Sequence, residues 1–231
     1  MFIGHFAAAF AAKKFAPKVN LAILFIACQL ADLIWPVLLL LGIEKVSVDH
    51  SATAVMPFDF VHYPYSHSLL MLTVYAALLG LTIKALYRSN KAALIAGLTV
   101  ISHWVLDLIT HRPDMPLTFG GAKYGWGLWN SVPATLIVEG LFFVYCVYLY
   151  KKSKTDSAQP FCPAQKKSFY ALVAFLVLAY LGNLFGPTIP LDTPPAAIAG
   201  PALAIWLLVI WAYFVDRASS QSQVFSYTQL A

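Results

Sequence analysis

Six runs of apolar residues, at about 19–43, 67–88, 91–110, 130–150, 168–186 and 196–215, each approach the roughly 20 residues that a helix needs to cross a hydrocarbon layer. In lipid every backbone N–H and C=O has to be paired within the protein, which leaves a chain of this kind little choice but a helical bundle. Composition agrees: 60% hydrophobic and 11% charged residues, with mean hydropathy +0.73, leave too little polar surface to cover a soluble globule. The expected fold is all-α, a polytopic membrane bundle of about six transmembrane helices with a short N-terminal half-span helix. Residues 1–150 form the helical core that carries the site residues, 151–167 a basic connection, 168–217 two further spans and 218–231 a polar tail.

Charge sets the expected topology. Lys13, Lys14 and Lys18 precede the first span, Lys84, Arg88 and Lys91 flank one connection, Lys151, Lys152, Lys154, Lys166 and Lys167 fill another, and Arg217 follows the last span. The alternate connections are poor in positive charge, so both termini are expected in the cytoplasm. A net charge of +5 is thereby assigned to topology, and nucleic acid is not expected as a partner. The N-terminal segment has no early Lys or Arg and carries Lys13 and Lys14 after its Ala-rich stretch, the reverse of a secretory signal, so it is expected to stay in the mature protein. Cys28, Cys146 and Cys162 form no CxxC pair and indicate neither a disulfide framework nor a thiolate metal site.

Against this background a few ionisable residues stand out. His103, Asp107 and His111 follow one another at four-residue spacing and stack on one helical face. Inside a membrane a charged side chain costs roughly 2.5 kcal/mol or more. Asp32 and Glu139 fall in apolar spans as well. With Lys13 at the inner interface, His5 lies ~13 Å above it and Asp32 roughly 20 Å above Lys18, at 1.5 Å per residue. The two then share a depth on a hairpin turned at Pro17, and Pro36 is expected to kink the first span just beyond Asp32.

His62 and His67 close the external loop before the second span. His5, Asp32, His62, His67, His103, Asp107 and Glu139 thus come from separate stretches to one level in the outer half of the membrane. Imidazoles and carboxylates without thiolates suit zinc, or manganese or iron, and their number allows two ions with a bridging carboxylate from Asp32 or Asp107. Single histidines at an interface are more often hydrogen-bonding anchors, which leaves His50 and His111 outside the ligand set. Arg112 and Lys123 stand near the external mouth, where they can meet a substrate headgroup or simply snorkel.

Gly4-His5, Asp32, His62-Tyr63-Pro64-Tyr65-Ser66-His67-Ser68 and Ser102-His103 followed by Asp107 together resemble the YdjM-like family of inner-membrane metal-dependent hydrolases. That family shows a histidine, an aspartate, a His-Arg-Gly-x-Thr-His-Ser motif and a His-x-x-x-Asp helix in this order, and is itself distantly similar to zinc-dependent phospholipase C and P1-type nucleases. The resemblance covers about residues 1 to 150 and implies ligand roles for His5, Asp32, His67, His103 and Asp107, with His62 beside them. Tyr63 and Pro64 replace the Arg-Gly of the motif, so a phosphate contact by that arginine is absent here.

The reading that follows is a membrane metallohydrolase of a bacterial or archaeal cytoplasmic membrane. It would cleave a phosphoester of a lipid or lipid-linked substrate at the outer leaflet by metal-activated water, with Asp32 or Glu139 as general base. The alternative is a transporter or channel that uses the same residues to hold a cation or proton. It predicts polar residues continuing to the cytoplasmic side, where the spans offer chiefly Gln29, Thr82 and Thr99.

Overall fold

Asn20, Ser68, Ser89 and Ser131 each stand just ahead of an apolar run, and each turns its side-chain oxygen onto a backbone N–H of the first helical turn, at 2.9, 3.2, 3.2 and 3.3 Å. In the computed structural model, which describes residues 1–156 and 160–217, the elements follow as α1 (Ile3–Phe15), α2 (Leu21–Leu40), β1 (Lys45–Val48), β2 (Phe58–His62), α3 (Pro64–His67), α4 (Leu69–Tyr87) and α5 (Asn90–Thr110). Then come β3 (Met115–Pro116), β4 (Lys123–Tyr124), α6 (Val132–Thr155), α7 (Pro163–Phe185), α8 (Pro195–Leu203) and α9 (Ile205–Asp216). Among the described residues six helical segments are long and apolar enough to cross a membrane, the last being α8 and α9 taken together. The protein is an all-α integral membrane bundle, as its hydropathy requires.

The basic connection expected at 151–167 is largely helical. α6 continues through Lys151, Lys152 and Lys154, where cations complement a helix C-terminus, and α7 already begins at Pro163, whose fixed φ suits a first helical position. The tail expected at 218–231 lies outside the described residues. In the loop from Glu44 to Ser66, β1 and β2 pair antiparallel, because Val46 and Val48 alternate inward while their neighbours face out. Pro36 sits within α2, which runs on to Leu40. Lacking an N–H, it leaves the carbonyl of Asp32, four residues earlier, without its helical donor.

α1 lies inside the bundle against α2, α5 and α6. Its alanines permit close approach, with Ala7 and Ala9 fully buried. Phe10 is an aromatic hub whose ring lies 5.4 Å from Phe25, 5.4 Å from Tyr150 and 5.9 Å from Phe169. α4 and α5, joined through Arg88 in the left-handed region, pack closely because Gly80 faces the carbonyl of Ala93 and Gly97 that of Ala76.

The far end of α1 is pinned by charge. Lys13 is buried and donates to the Val19 carbonyl at 2.6 Å and to Asp216 Oδ2, while Asp216 also accepts from Leu21 N at 3.0 Å and from Lys154 at 2.5 Å. One carboxylate therefore ties α1, α2, α6 and α9. Removing one partner of a buried ion pair costs about 3–5 kcal/mol, since the other charge stays buried. Asp216→Asn is accordingly expected to lower the thermal unfolding temperature in detergent strongly, and Lys13→Met in that background to recover most of the loss. An unchanged melting temperature for Asp216→Asn would refute this account of the closure.

Candidate metal centre

α1 begins, α2 passes its middle and α5 approaches its end at one level of the bundle, and there His5, Asp32, His103 and Asp107 meet. His67 joins them from α3, a single helical turn that opens on Pro64 and carries its last residue inward. Two groups of donor atoms form: His5, His103 and Asp107, and Asp32, His67 and His103, with the atoms of each group within 4.8 Å of one another. His103 belongs to both. His103 Nε2 stands 3.0 Å from Asp107 Oδ2 and 3.9 Å from Asp32 Oδ1, and His67 Nε2 stands 3.3 Å from Asp32 Oδ1. His5 Nε2 is 3.0 Å from Asp107 Oδ1, which the amino nitrogen of Met1 also contacts.

The hydrogen-bond partners on the far sides of the rings decide what the near sides offer. His103 Nδ1 lies 2.7 Å from the carbonyl oxygen of Cys28. A carbonyl only accepts, so Nδ1 carries the proton and Nε2 is left as a lone pair in the neutral ring. Asp107 Oδ2 is near that lone pair but off the line an N–H would take, and Nε2 makes no hydrogen bond.

His67 is set in the same sense by a longer chain. Glu44, buried just past α2, accepts from Ser66 N at 2.9 Å and from Ser66 Oγ at 2.6 Å. With its only proton given to Glu44, Ser66 Oγ accepts from His67 Nδ1 at 2.6 Å. His67 Nε2 is then a lone pair facing Asp32. Lone pairs turned toward carboxylate oxygens, in a centre whose side chains are at most 5% exposed except Asp32 at 29%, have the character of a site for a cation. Two donors each about 2.0–2.2 Å from one zinc ion stand roughly 3–4 Å apart, which is the range of the separations here. The donor set of imidazole nitrogen and carboxylate oxygen fits zinc or a comparable divalent ion.

The remaining expected residues are placed differently. His62 is exposed on β2, its ring 6.1 Å from that of Tyr65, and lies in neither donor group. Glu139 is fully buried but accepts from Phe2 N at 3.0 Å and Trp129 Nε1 at 3.4 Å, which makes it an anchor for the start of α1. Arg112 is paired with Asp59 at 2.5 Å and approaches Asp114 at 3.5 Å. Lys123 reaches over the ring of Tyr63 and lines a cleft of about 360 Å³ with Trp104, Leu108, Leu117, Tyr124 and Trp126. His50 bonds the Ile189 carbonyl at 2.7 Å, as an interfacial anchor does.

Sequence reasoning missed Glu44, the Cys28 carbonyl and the part that Ser66 plays between Glu44 and His67. The pattern of an acidic residue ending an apolar span was the one signal available for Glu44. Tyr63 hydrogen-bonds through its hydroxyl to Asp114 Oδ1 at 3.2 Å and to the Asp114 carbonyl at 3.0 Å. Burial first, and the Asp114 carboxylate second, hold that hydroxyl well above the usual phenol range, so it remains a donor.

Comparison of the chain with protein-family models, with curated proteins and with solved structures gave no match.

The segment after β4 straps the end of α5. Trp126 N donates to the Leu108 carbonyl at 2.8 Å and Gly127 N to the His111 carbonyl at 2.7 Å. A Cβ on Gly125 would fall 2.0 Å from the Arg112 oxygen and 2.4 Å from the His111 oxygen. Gly125→Ala is expected to cost about 1–3 kcal/mol of stability, the usual range for forced overpacking. Gly120→Ala, where nothing lies within 4 Å, is the control and is expected to melt like the wild type. Equal melting temperatures for the two variants would contradict the strap.

Proposed function

We propose that the protein is an integral-membrane metal-dependent hydrolase that cleaves a phosphoester of a lipid or lipid-linked substrate at the outer face of a bacterial or archaeal cytoplasmic membrane. The observation that carries the reading is the pair of imidazoles, His67 and His103, whose Nδ1 positions are committed to Ser66 and the Cys28 carbonyl while their Nε2 lone pairs converge on Asp32 and Asp107. A divalent ion held by Asp32, His67 and His103 would supply Lewis acidity and lower the pKa of water toward neutrality.

The chain's own residues divide the remaining work. Asp32 directs Oδ1 to the two histidines and is the least buried member of the centre, which suits it to be the proton acceptor. Glu139 keeps α1, and so His5, in place rather than reacting. Trp104, Leu108, Tyr124 and Trp126 give an apolar cleft for acyl chains with the Lys123 ammonium at its edge for an anionic headgroup. The lysines of the opposite end would lie in the cytoplasm by the positive-inside rule, which turns the centre outward. Transport is less well supported: beneath His5 the bundle is filled chiefly by Phe6, Phe10, Phe25, Phe143 and Phe169, and the buried polar side chains on that side are few, Gln29, Thr99 and Tyr150 before Lys13.

Elemental analysis of the purified protein is the direct test. At least one zinc, manganese or iron per chain is expected in the wild type, with loss in His103→Ala and Asp107→Ala, and turnover of a phospholipid in mixed micelles that stops on chelation and returns with metal. A folded wild type that binds no divalent ion would end the proposal. Reconstituted vesicles that pass a cation with no phosphoester turnover would favour transport instead.

Glu44 gives a sharper test of the tautomer argument. In Glu44→Gln an amide N–H can face Ser66 Oγ, freeing its proton for His67 Nδ1 and moving the ring proton to Nε2. Loss of an outer partner of this kind costs about 10–100-fold in metal affinity. Titration with Zn²⁺, together with ¹⁵N chemical shifts of the His67 ring, should show both the weaker binding and the changed tautomer.

A further inference from the structure

The hairpin of β3 and β4 carries a cation without a counter-ion. Lys123, on β4, is exposed, and among the described residues its ammonium meets no carboxylate. It contacts the Val61 carbonyl at 3.5 Å and the face of the Tyr63 ring, 5.8 Å from the centroid. Arg112, the other cation on this side, is already taken by Asp59 and Asp114. An ammonium with no acid beside it keeps its full attraction for an incoming anion, whereas a paired guanidinium has spent most of its own.

Two hollows meet at Lys123. One is the apolar cleft of Trp104, Leu108, Leu117 and Trp126. The other lies toward β2, measures about 40 Å³ and is walled by His62, Tyr63, Thr118, Gly120 and Gly121. That is room for a few waters or one small anion. No carboxylate stands in its wall. His62 is exposed and makes no hydrogen bond to the described residues, and the backbone N–H groups of Gly120 and Gly121 have no acceptor among them. Neither glycine covers its amide with a side chain, and a Cβ at either position would meet nothing within 4 Å. Donors without acceptors, and a cation without an anion, thus line one hollow. The exposed rings of Tyr65, Phe119, Tyr124 and Trp126 surround it, and such aromatics settle at the level of lipid headgroups.

We propose that this hollow binds the phosphate of an anionic membrane lipid, with Lys123 as its ion partner and His62 as a second donor, while the cleft on the other side of Lys123 takes an acyl chain of the same molecule. A lipid held there is one aromatic ring from the centre, since the Tyr63 ring that Lys123 covers lies 5.1 Å from the ring of His67. The inference rests on the hydrolase reading only in naming the class of lipid brought to the centre; the binding itself uses none of the metal-centre residues. Charge decides the class. A phosphatidylcholine carries a quaternary ammonium beside its phosphate and offers Lys123 no net charge, whereas a phosphatidylglycerol offers a full negative one.

The test is a titration of the full chain in neutral detergent with phosphatidylglycerol and separately with phosphatidylcholine, each carrying brominated acyl chains. Bromine quenches tryptophan on contact, and the part of the quenching that is lost in Trp126→Phe reports on the cleft alone. The wild type is expected to hold phosphatidylglycerol about 5-fold or more tightly, the effect of one basic residue on an anionic lipid. Lys123→Gln is expected to bind the two lipids alike, Lys123→Arg to keep the preference and His62→Leu to lose part of it. Lys167→Gln, at the start of α7, is the control for the basic connection and is expected to match the wild type. Equal affinities in the wild type, or an undiminished preference in folded Lys123→Gln, would overturn the proposal. Inorganic phosphate that displaces phosphatidylglycerol at equal concentration would show a site for the free anion and overturn the lipid occupant. A preference that persists in protein without metal or turnover would leave the lipid site standing and remove the hydrolase reading.

Discussion

A carboxylate buried between imidazoles in the middle of a membrane bundle is the constraint from which the rest of the structure follows. Asp107 is 2% exposed and surrounded by His5, His103 and His111, none of which can turn away, because each is fixed by its own helix or by a partner on its far nitrogen. An ionised carboxylate removed from water is tolerated when it is paired, hydrogen-bonded or bound to a cation. The bundle meets that demand by bringing nitrogen donors from three directions rather than by apolar packing. A neutral imidazole can answer a carboxylate only with the nitrogen that bears the proton, and at His103 that proton is already given to Cys28. The amino group of Met1 supplies positive charge at Oδ1, while Oδ2 faces a His103 nitrogen that makes no hydrogen bond.

The peculiar feature of the fold, a helix of thirteen residues buried inside a membrane bundle, makes sense as a device for delivering one histidine to the centre. α1 is too short to span. It enters beside α6 because its alanines let it approach, and it turns back at Pro17 so that His5 stands level with α5. Its two ends are secured by different means. Glu139 and Trp129 hold the end that carries His5, while Lys13 and Asp216 hold the other. The last spans, in which the sequence shows no chemistry, therefore have a mechanical part: Asp216 at the end of α9 closes the pocket in which α1 is seated.

How far the sequence could be read depended on whether a signal was local. The six spans were legible because hydropathy over about twenty residues is a property of the segment alone. His103 and Asp107 were legible because a four-residue spacing on a helix is a spatial statement, and Asp32 because an acid in an apolar span needs a reason. His62 was grouped with His67 on sequence proximity, but β2 gives way to α3 at Tyr63-Pro64, and the change of period sends the two side chains to opposite sides. His111 fits the spacing of His103 and Asp107, yet α5 ends at Thr110, and the ring is brought inward by Asp114 and by the strap at Gly125 to Gly127 rather than by helical period. Glu44, Asp114 and the Cys28 carbonyl lie in the outer ring of contacts. Such partners come from loops and backbone, and no periodicity announces them.

Tyr63, at the turn into α3, shows how a loop side chain supports a histidine without carrying charge. An arginine there would bring a positive charge to the mouth of the centre. Tyr63 brings none, and instead spends its hydroxyl on Asp114, which carries Arg112 as its other neighbour. Arg112 reaches the same neighbourhood from the end of α5 and is itself held by Asp59 on β2. The charge in this neighbourhood thus comes from the loop after α5, and Tyr63 is part of the support of His111. If an anionic headgroup is drawn to the mouth, the charge that draws it has to be Arg112 or Lys123, and of the two Lys123 lines the cleft while Arg112 is committed to two carboxylates. The geometry therefore assigns Arg112 to support and leaves Lys123 as the residue with a charge to offer a substrate.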